Sequence, residues 1–383
     1  MRIAFFCHHI PDPCGAFFHD VILARALQSR GHSVIFVTTG VKHPRKGVYR
    51  GLQFMHYEVA GVELARTDLW STPHNPVLAF VRKLNEQFEK PLVVNMHYGE
   101  DTQHIEHCVR NGSWAEFLWF VSDHVKNNVM NTKKISPVFV DIRVFKPAFI
   151  EQELSLYSPP SRPQGDCITL VNANMLKGLF VFVELAKHFP DRKFLGVRPY
   201  YNQIQTPQLP NIEWIDIQDD IRTVLSRTRV LLVPSVYESW GRIAFEAMYN
   251  GIPVLYTKPI DQAGYSSGST EGMQAWIQDN GFPCERSSPD DWISNLQKLD
   301  DPAIYEEYSD RAFKCTRELG VFQEIVDAET AFIDYATKYT KAPKSKGEEA
   351  PRVANRVNAM SVAQQPASRM AFGLRGGRFG MRR

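Results

Sequence analysis

Short apolar runs alternate with stretches of helical periodicity twice along this 383-residue chain, and the alternation fails once in between. Arg2 to Cys7 is an apolar run that ends in a Pro-rich loop, His8 to Gly15. The loop opens a stretch from Ala16 to Arg30 in which Phe17, Val21, Ala24 and Leu27 share one helical face, and Gly31 stands where a left-handed residue ends a helix. Ser33 to Thr38 reads as the next strand. The series goes on through a strand at Leu52 to Val59, a helix near Val77 to Phe88, a strand at Leu92 to Met96, a helix near Asp101 to Val109 and a strand at Glu116 to Val121. Strands that alternate with helices lie side by side in a mostly parallel, doubly wound sheet.

Between Ile150 and Asp166 the pattern stops. Ser158-Pro159-Pro160-Ser161-Arg162-Pro163 sustains neither a helix nor an interior strand, because proline lacks the amide donor that both need. A second series follows: strand Cys167 to Ala173, helix Gly178 to Phe189, strands Lys193 to Val197 and Ile212 to Ile215, helix Asp220 to Arg227 and strand Val230 to Val233. After these come a helix at Arg242 to Asn250, a strand at Pro253 to Tyr256, and helices near Asp290 to Leu299 and Ala303 to Thr340. The expected fold is therefore α/β, with two Rossmann-like doubly wound parallel-sheet domains facing a central cleft. The divisions are 1–150, a linker at 151–166, 167–300, C-terminal helices at 301–340 and a disordered basic tail at 341–383. Ligands of open α/β sheets sit beyond the carboxyl ends of the strands, which here means the cleft.

Composition narrows the function classes. Hydrophobic residues make up 44% and charged residues 22%, the balance of a globular enzyme rather than a fibrous or disordered chain. No apolar run reaches the roughly 20 residues of a membrane helix, so no transmembrane segment and a cytoplasmic location are expected. The six cysteines, Cys7, Cys14, Cys108, Cys167, Cys284 and Cys315, never adopt Cys-x-x-Cys spacing and read as free thiols. His104, His107 and Cys108 crowd one stretch without a fourth ligand, so no metal is expected there. A nicotinamide-dependent oxidoreductase needs Gly-x-Gly-x-x-Gly after the first strand; this chain has HHIPDPCGAFF there and Thr38-Thr39 after the second.

The chemistry concentrates between Arg229 and Thr257, RVLLVPSVYESWGRIAFEAMYNGIPVLYT. A buried strand runs into a loop, and the loop opens a helix at Gly241. A helix start offers unpaired amides and a positive dipole end, which suit a diphosphate. Glu238 lies in the loop and Glu246 on the helix, so two carboxylates can flank a ligand, and a carboxylate accepts hydrogen bonds from two vicinal hydroxyls. Lys177-Gly178 follows the first strand of the second series and sets a cation where a departing phosphate would gain charge. His97 closes the strand Leu92 to Met96, and imidazole exchanges protons near neutral pH.

This stretch closely resembles the Pro-Ser-x-x-Glu-x-x-Gly and Glu-x7-Glu signature of family-four retaining glycosyltransferases, the glycosyl transferases of group 1. Pro234, Ser235, Gly241, Ala247, Gly251, Pro253 and Val254 are in register with it. The resemblance implies a GT-B fold, a nucleotide-diphosphate sugar as donor, retention of anomeric configuration and no metal cofactor. It implies that Glu246 holds the ribose, that Glu238 contacts the donor sugar with Ser239 and Trp240 beside it, and that Gly241 and Arg242 present amides to the diphosphate. Lys177 corresponds to the family's phosphate-binding lysine, and Val171-Asn172-Ala173 replaces its Gly-Arg-Leu, so Asn172 supplies neutral donors where the family has an arginine. Gly15 corresponds to the glycine-rich acceptor-side loop, with Cys14 in place of its second glycine. His97 corresponds to a histidine that touches the donor sugar or the reacting centre. Ser122 and Ser136 to Pro147 match the family's Val-Ser turn and the close of its first domain, and Asp261 and Gly264 match its donor loop weakly. The acceptor is left open among a glycan, a lipid-linked molecule and modified DNA.

One other reading starts at the end of the chain. Residues 341–383 hold ten Lys or Arg against two Glu, and Ser368 to Arg383 interleaves Arg, Gly and Phe. Such a segment can neutralise phosphates and stack on bases, or bind an anionic surface. It raises two alternatives: a transferase that glycosylates hydroxylated bases in DNA, and a nucleic-acid-binding protein on a degenerate GT-B scaffold.

Overall fold

A computed structural model describes residues 1–341 apart from 13, 41–43, 75–76, 98–115, 134–139, 157–164, 201–204 and 260–269. The tail beyond Lys341, the stretch with His104, His107 and Cys108, the Pro-rich centre of the linker, and Asp261 with Gly264 lie outside the described residues.

Eight strands form the first sheet: β1 (Arg2–Cys7), β2 (Ser33–Thr38), β3 (Lys46–Tyr49), β4 (Leu52–His56), β5 (Leu69–Pro73), β6 (Leu92–Met96), β7 (Glu116–Phe120) and β8 (Val140–Val144), in the order β3-β4-β2-β1-β5-β6-β7-β8. Every pairing is parallel except β3 with β4, a hairpin at the sheet edge. Six strands form the second sheet: β9 (Cys167–Leu170), β10 (Phe194–Val197), β11 (Ile212–Ile215), β12 (Thr228–Val233), β13 (Val254–Thr257) and β14 (Phe282–Cys284), in the order β11-β10-β9-β12-β13-β14 and all parallel. These are two Rossmann-like lobes.

The expected strands β1, β2, β6 and β11 have the bounds read from the sequence. The β5 strand, Leu69–Pro73, gave no sequence signal although it pairs with both β1 and β6 at the sheet centre. It is short, carries Ser71 and Thr72, and ends in proline; only burial on both faces makes it a strand. The β3 hairpin turns at Arg50 and Gly51, both at positive φ (49° and 81°), the conformation a two-residue turn needs.

Parallel sheets place every strand's carboxyl end at the same edge, and in each sheet the chain reverses its winding direction once. In the first sheet that point lies between β1 and β5, in the second between β9 and β12. Crevices of doubly wound sheets form there.

The stretch expected to be helical from Ala303 to Thr340 is two helices, Pro302–Glu318 and Gln323–Lys341, separated at Gly320 with φ 64°. The second returns to the first lobe. Ile325, Ala328, Phe332, Tyr335 and Ala336 share a core with Phe17, Leu23 and Trp119, and the Leu92 amide donates to the Tyr335 hydroxyl (3.3 Å). Phe332 is fully buried, so this helix stabilises the first lobe by roughly 1.5–3 kcal/mol for that side chain alone. Among the described residues no helix is long and apolar enough to cross a membrane, and Cys7, Cys14, Cys167, Cys284 and Cys315 are free.

Candidate active site

A cavity of about 580 Å³ lies at the carboxyl edges of the two sheets, and Gly15, Asn172, Lys177, Glu238, Arg242 and Glu246 all line it. Six residues scattered over 232 positions therefore meet in one place.

Adjacency of β9 and β12 brings Lys177 to Glu238. Being parallel neighbours, these strands release their loops side by side, and the two loops are bonded: the Val236 amide donates to the Leu176 carbonyl (2.9 Å). Gly178 caps the helix Leu179–His188 at φ 79°, where a Cβ would stand 2.3 Å from the Pro234 carbonyl oxygen. Only glycine accepts both the left-handed backbone and that approach. The result is a Lys177 Nζ to Glu238 Oε1 ion pair of 2.5 Å, and Ser235 Oγ donates to the same carboxylate oxygen at 2.7 Å.

The loop after β12 ends at Gly241, again left-handed (φ 77°), and the helix Arg242–Tyr249 begins. One turn along, Arg242 Nε pairs with Glu246 Oε1 at 2.9 Å. Burial pushes the Glu246 carboxyl up from its ordinary range while the Arg242 guanidinium holds it down, and burial pushes Arg242 itself down. Arg242 also donates through Nη1 to the Ala148 carbonyl (2.9 Å), in the segment that joins the lobes, and lies 4.2 Å from the Phe149 ring centre.

The remaining residues of the motif lie behind this surface. Trp240 is buried, stacked on Trp276 with centroids 5.2 Å apart, and its carbonyl accepts the Trp276 indole proton (2.7 Å). The Ser239 carbonyl accepts from Ser122 Oγ of the first lobe (2.8 Å), and a Cβ on Gly272 would reach within 1.8 Å of that same oxygen. Ser239, Trp240, Gly241 and His97 are not among the residues that line the cavity. Asn172 occupies a left-handed position (φ 61°) that asparagine tolerates better than most residues, and its Oδ1 accepts from Asn174 Nδ2 at 3.2 Å. At Gly15 a Cβ would meet nothing within 4 Å, so the glycine is not demanded by packing; the neighbouring Cys14 thiol is pushed up to about 12 by burial and by Asp12.

His97 stands in a polar group that the sequence did not reveal. His19 and Asp20, on the helix Gly15–Ser29, place ligand-type atoms within 4.8 Å of His97 and of each other. The two imidazole rings meet edge to face, 5.0 Å apart. Burial, with His74 and Arg242 adding to it, pushes His97 down to about 3, and burial pushes His19 well down too, so both rings are neutral at physiological pH. Burial pushes the Asp20 carboxyl up to about 8 against a 2.8 Å hydrogen bond donated by Asn95 Nδ2. Two histidines and a carboxylate are a metal-ligand set by type. The Ala148 amide, however, donates to His19 Nδ1 (3.0 Å), so a neutral ring carries its proton on Nε2, the nitrogen a metal would need. The only sequence signal for this group is the pair His19-Asp20 on a helix face that otherwise reads apolar.

With that geometry in view, the relatives are informative. Residues 196–313 match the family model described as glycosyl transferases group 1. The chain has the GT-B fold, and the match to the group 1 glycosyl transferases lies within its second lobe. No curated protein sequence matches the chain. Among solved structures it resembles sucrose-phosphate synthase from Thermosynechococcus elongatus, at 14% identity over 88% of this chain and 100% of that one, with a TM-score of 0.69. It resembles Anabaena HepE in complex with UDP-glucose at 13% identity over 86% and 100%, TM-score 0.66. It also resembles WaaG, a glycosyltransferase involved in lipopolysaccharide biosynthesis, at 13% identity over 86% and 99%, TM-score 0.61. At such identities these likenesses speak for the fold alone. The matched range contains β12 and the helix Arg242–Tyr249, and with them Glu238, Arg242 and Glu246, which line the cavity.

Proposed function

We propose that this glycosyltransferase moves a hexose from a nucleotide-diphosphate sugar to an acceptor hydroxyl with retention of anomeric configuration. The observation that carries the reading is the convergence of Lys177, Glu238 and Glu246 on one cavity that the helix Arg242–Tyr249 also enters at its amino end. The HepE complex with UDP-glucose, a protein of like fold, supports a donor of this class.

Glu246 accepts the two ribose hydroxyls with the oxygen that Arg242 leaves to it. The diphosphate sits at the amino end of the helix Arg242–Tyr249, where Arg242 and Ile243 line the cavity and the helix dipole favours negative charge. Lys177 shifts from Glu238 towards the β-phosphate as the glycosidic bond breaks, and Glu238 is freed to accept from a sugar hydroxyl. Charge grows on the departing phosphate only in the transition state, so the amine acts on turnover more than on binding. In a front-face displacement the C1–O bond to phosphate breaks, the C1–O bond to the acceptor forms on the same face, and the acceptor proton passes to a departing phosphate oxygen. A lysine and helix amides supply the positive charge that a divalent cation supplies in other transferases, so activity is expected to survive chelation. Closing the lobes excludes water and favours transfer over hydrolysis.

A thermal-shift screen against UDP, GDP, ADP and their sugars tests the reading, because a ligand that binds only the folded chain raises its melting point. One nucleotide series is expected to stabilise the protein, and an unmoved melting point across the whole plate would discard the proposal. The anomeric proton coupling of the product then reports retention or inversion.

A further inference from the structure

An unbroken line of hydrogen bonds joins the first-lobe helix to the donor carboxylate. His19 Nδ1 accepts from the Ala148 amide (3.0 Å), the Ala148 carbonyl accepts from Arg242 Nη1 (2.9 Å), and Arg242 Nε pairs with Glu246 Oε1 (2.9 Å). His19 and Ala148 are each 1% exposed, so neither bond is exchanged with water at small cost. We infer that His19 is a positioning residue for donor binding, acting from the first lobe through Ala148 and Arg242 to fix the orientation of the Glu246 carboxylate; this rests on the reading of Glu246 as the ribose ligand.

Three features argue for orientation rather than plain packing. His19 is neutral, so it acts as an acceptor and not as a charge, and its tautomer is set by the amide it accepts. Ala148 lies in the segment between the lobes, so a single residue meets His19 with its N–H and Arg242 with its carbonyl. Arg242 divides its fork between the peptide and the carboxylate, with Phe149 under the guanidinium at 4.2 Å, which leaves the arginine little freedom once Ala148 is placed. Around His19 the other facing groups are Asp20, whose Oδ1 is 3.9 Å from Nε2, the His97 ring at 5.0 Å and the Trp119 ring at 5.0 Å; none of them touches Nδ1. The line also spans the cleft, so the seating of a nucleotide and the relative setting of the lobes are coupled through it.

The test is a double-mutant cycle read by calorimetric titration of the full chain with UDP, GDP and ADP, each alone. His19→Phe keeps the ring and removes the acceptor; it is expected to weaken the preferred nucleotide about tenfold while changing kcat at saturating donor less than about threefold. His19→Gln, whose amide oxygen can accept from Ala148, is expected to return affinity to within about threefold of wild type. Arg242→Lys, which has one nitrogen for two partners, breaks the line at its centre and serves if His19→Phe fails to fold. The combination of His19→Phe with Glu246→Gln is expected to bind no worse than Glu246→Gln alone, since both act on one interaction. Additive losses, wild-type affinity in His19→Phe, or no recovery in His19→Gln would overturn the inference. A wild-type chain indifferent to all three nucleotides overturns the functional reading instead; the same cycle read in melting temperature then decides the relay, coupled losses sustaining it and additive losses ending it.

Discussion

The two sides of the cleft are built on opposite plans. On the second lobe the polar groups that meet the cavity come from three segments: Lys177 follows β9, Asp219, Asp220 and Arg222 follow β11, and Glu238, Arg242 and Glu246 follow β12 within nine residues. On the first lobe Arg25 and Arg50 reach the cavity, but a second polar set from four places, His19 and Asp20 on the first helix, Ser71 on β5, Asn95 on β6 and His97 just beyond it, lies apart from it. The second lobe spends its charges in matched pairs, Lys177 with Glu238 and Arg242 with Glu246. In the first lobe neutrality comes from burial, which holds two imidazoles unprotonated and raises a carboxyl to about 8. Paired charges can be redirected to a ligand, whereas neutral buried groups fix structure. We therefore expect chemistry from the second lobe and alignment from the first.

The largest expected effect falls on the charged side. Lys177→Ala should lower kcat by roughly 10²- to 10³-fold with little change in KM, the scale of losing one donor to developing charge. Glu246→Ala should do the reverse, raising the donor KM about tenfold at nearly constant kcat, as the loss of an interaction held in both ground and transition states does. If the two variants give the same split in steady-state kinetics, the division of labour within the second lobe is wrong.

On the neutral side, Asp20→Asn is expected to stabilise the protein. A carboxyl held at about 8 in the folded chain favours folding only below its ordinary value of 3.8, and that contribution is lost as pH rises from about 4 to 8, because the unfolded chain ionises first. Asparagine keeps an acceptor for Asn95 and removes the penalty. The gain at pH 7 is bounded at about 4 kcal/mol and should vanish near pH 3. Chemical denaturation at both pH values measures it, and a variant less stable than wild type at pH 7 would show that Asp20 is ionised and in use.

Gly178→Ala sharpens the comparison from the backbone. The new Cβ would press on Pro234 at a left-handed position, with a cost of about 1–3 kcal/mol in stability and a displaced Lys177. The smallest effect belongs to the edge of the cleft, where Arg50 donates to the Asp219 carbonyl and Tyr49 to its carboxylate (3.3 Å). Both contacts are exposed, so Arg50→Ala should cost no more than about 1 kcal/mol by denaturant titration.

Legibility in the sequence followed the same division. The Lys177, Glu238 and Glu246 set was readable because strand, loop and helix follow one another along the chain, and a glycine marks each helix start. Trp240, in the middle of that motif, belongs to the core with Trp276 and Phe149, which spacing alone does not distinguish from a ligand contact. The group of His19, Asp20 and His97 left almost no trace, since its members are up to 78 residues apart and meet only because β1, β5 and β6 lie in order. The β5 strand and the β3 hairpin were missed for a related reason: a polar centre and a terminal proline hide the first, and a turn at Arg50-Gly51 hides the second.

Most of the alternating elements, the two parallel sheets and the motif around Glu238 and Glu246 were determined by the sequence itself, because periodicity, glycine position and the amide-rich helix start are properties of contiguous residues. Tertiary structure decided the rest: that β9 and β12 are neighbours and so pair Lys177 with Glu238, that the helix Gln323–Lys341 crosses back to complete the first lobe, and that the backbone of Ala148 ties His19 to Arg242. Those outcomes depend on strand order and on burial, which sum contributions from residues far apart in the chain.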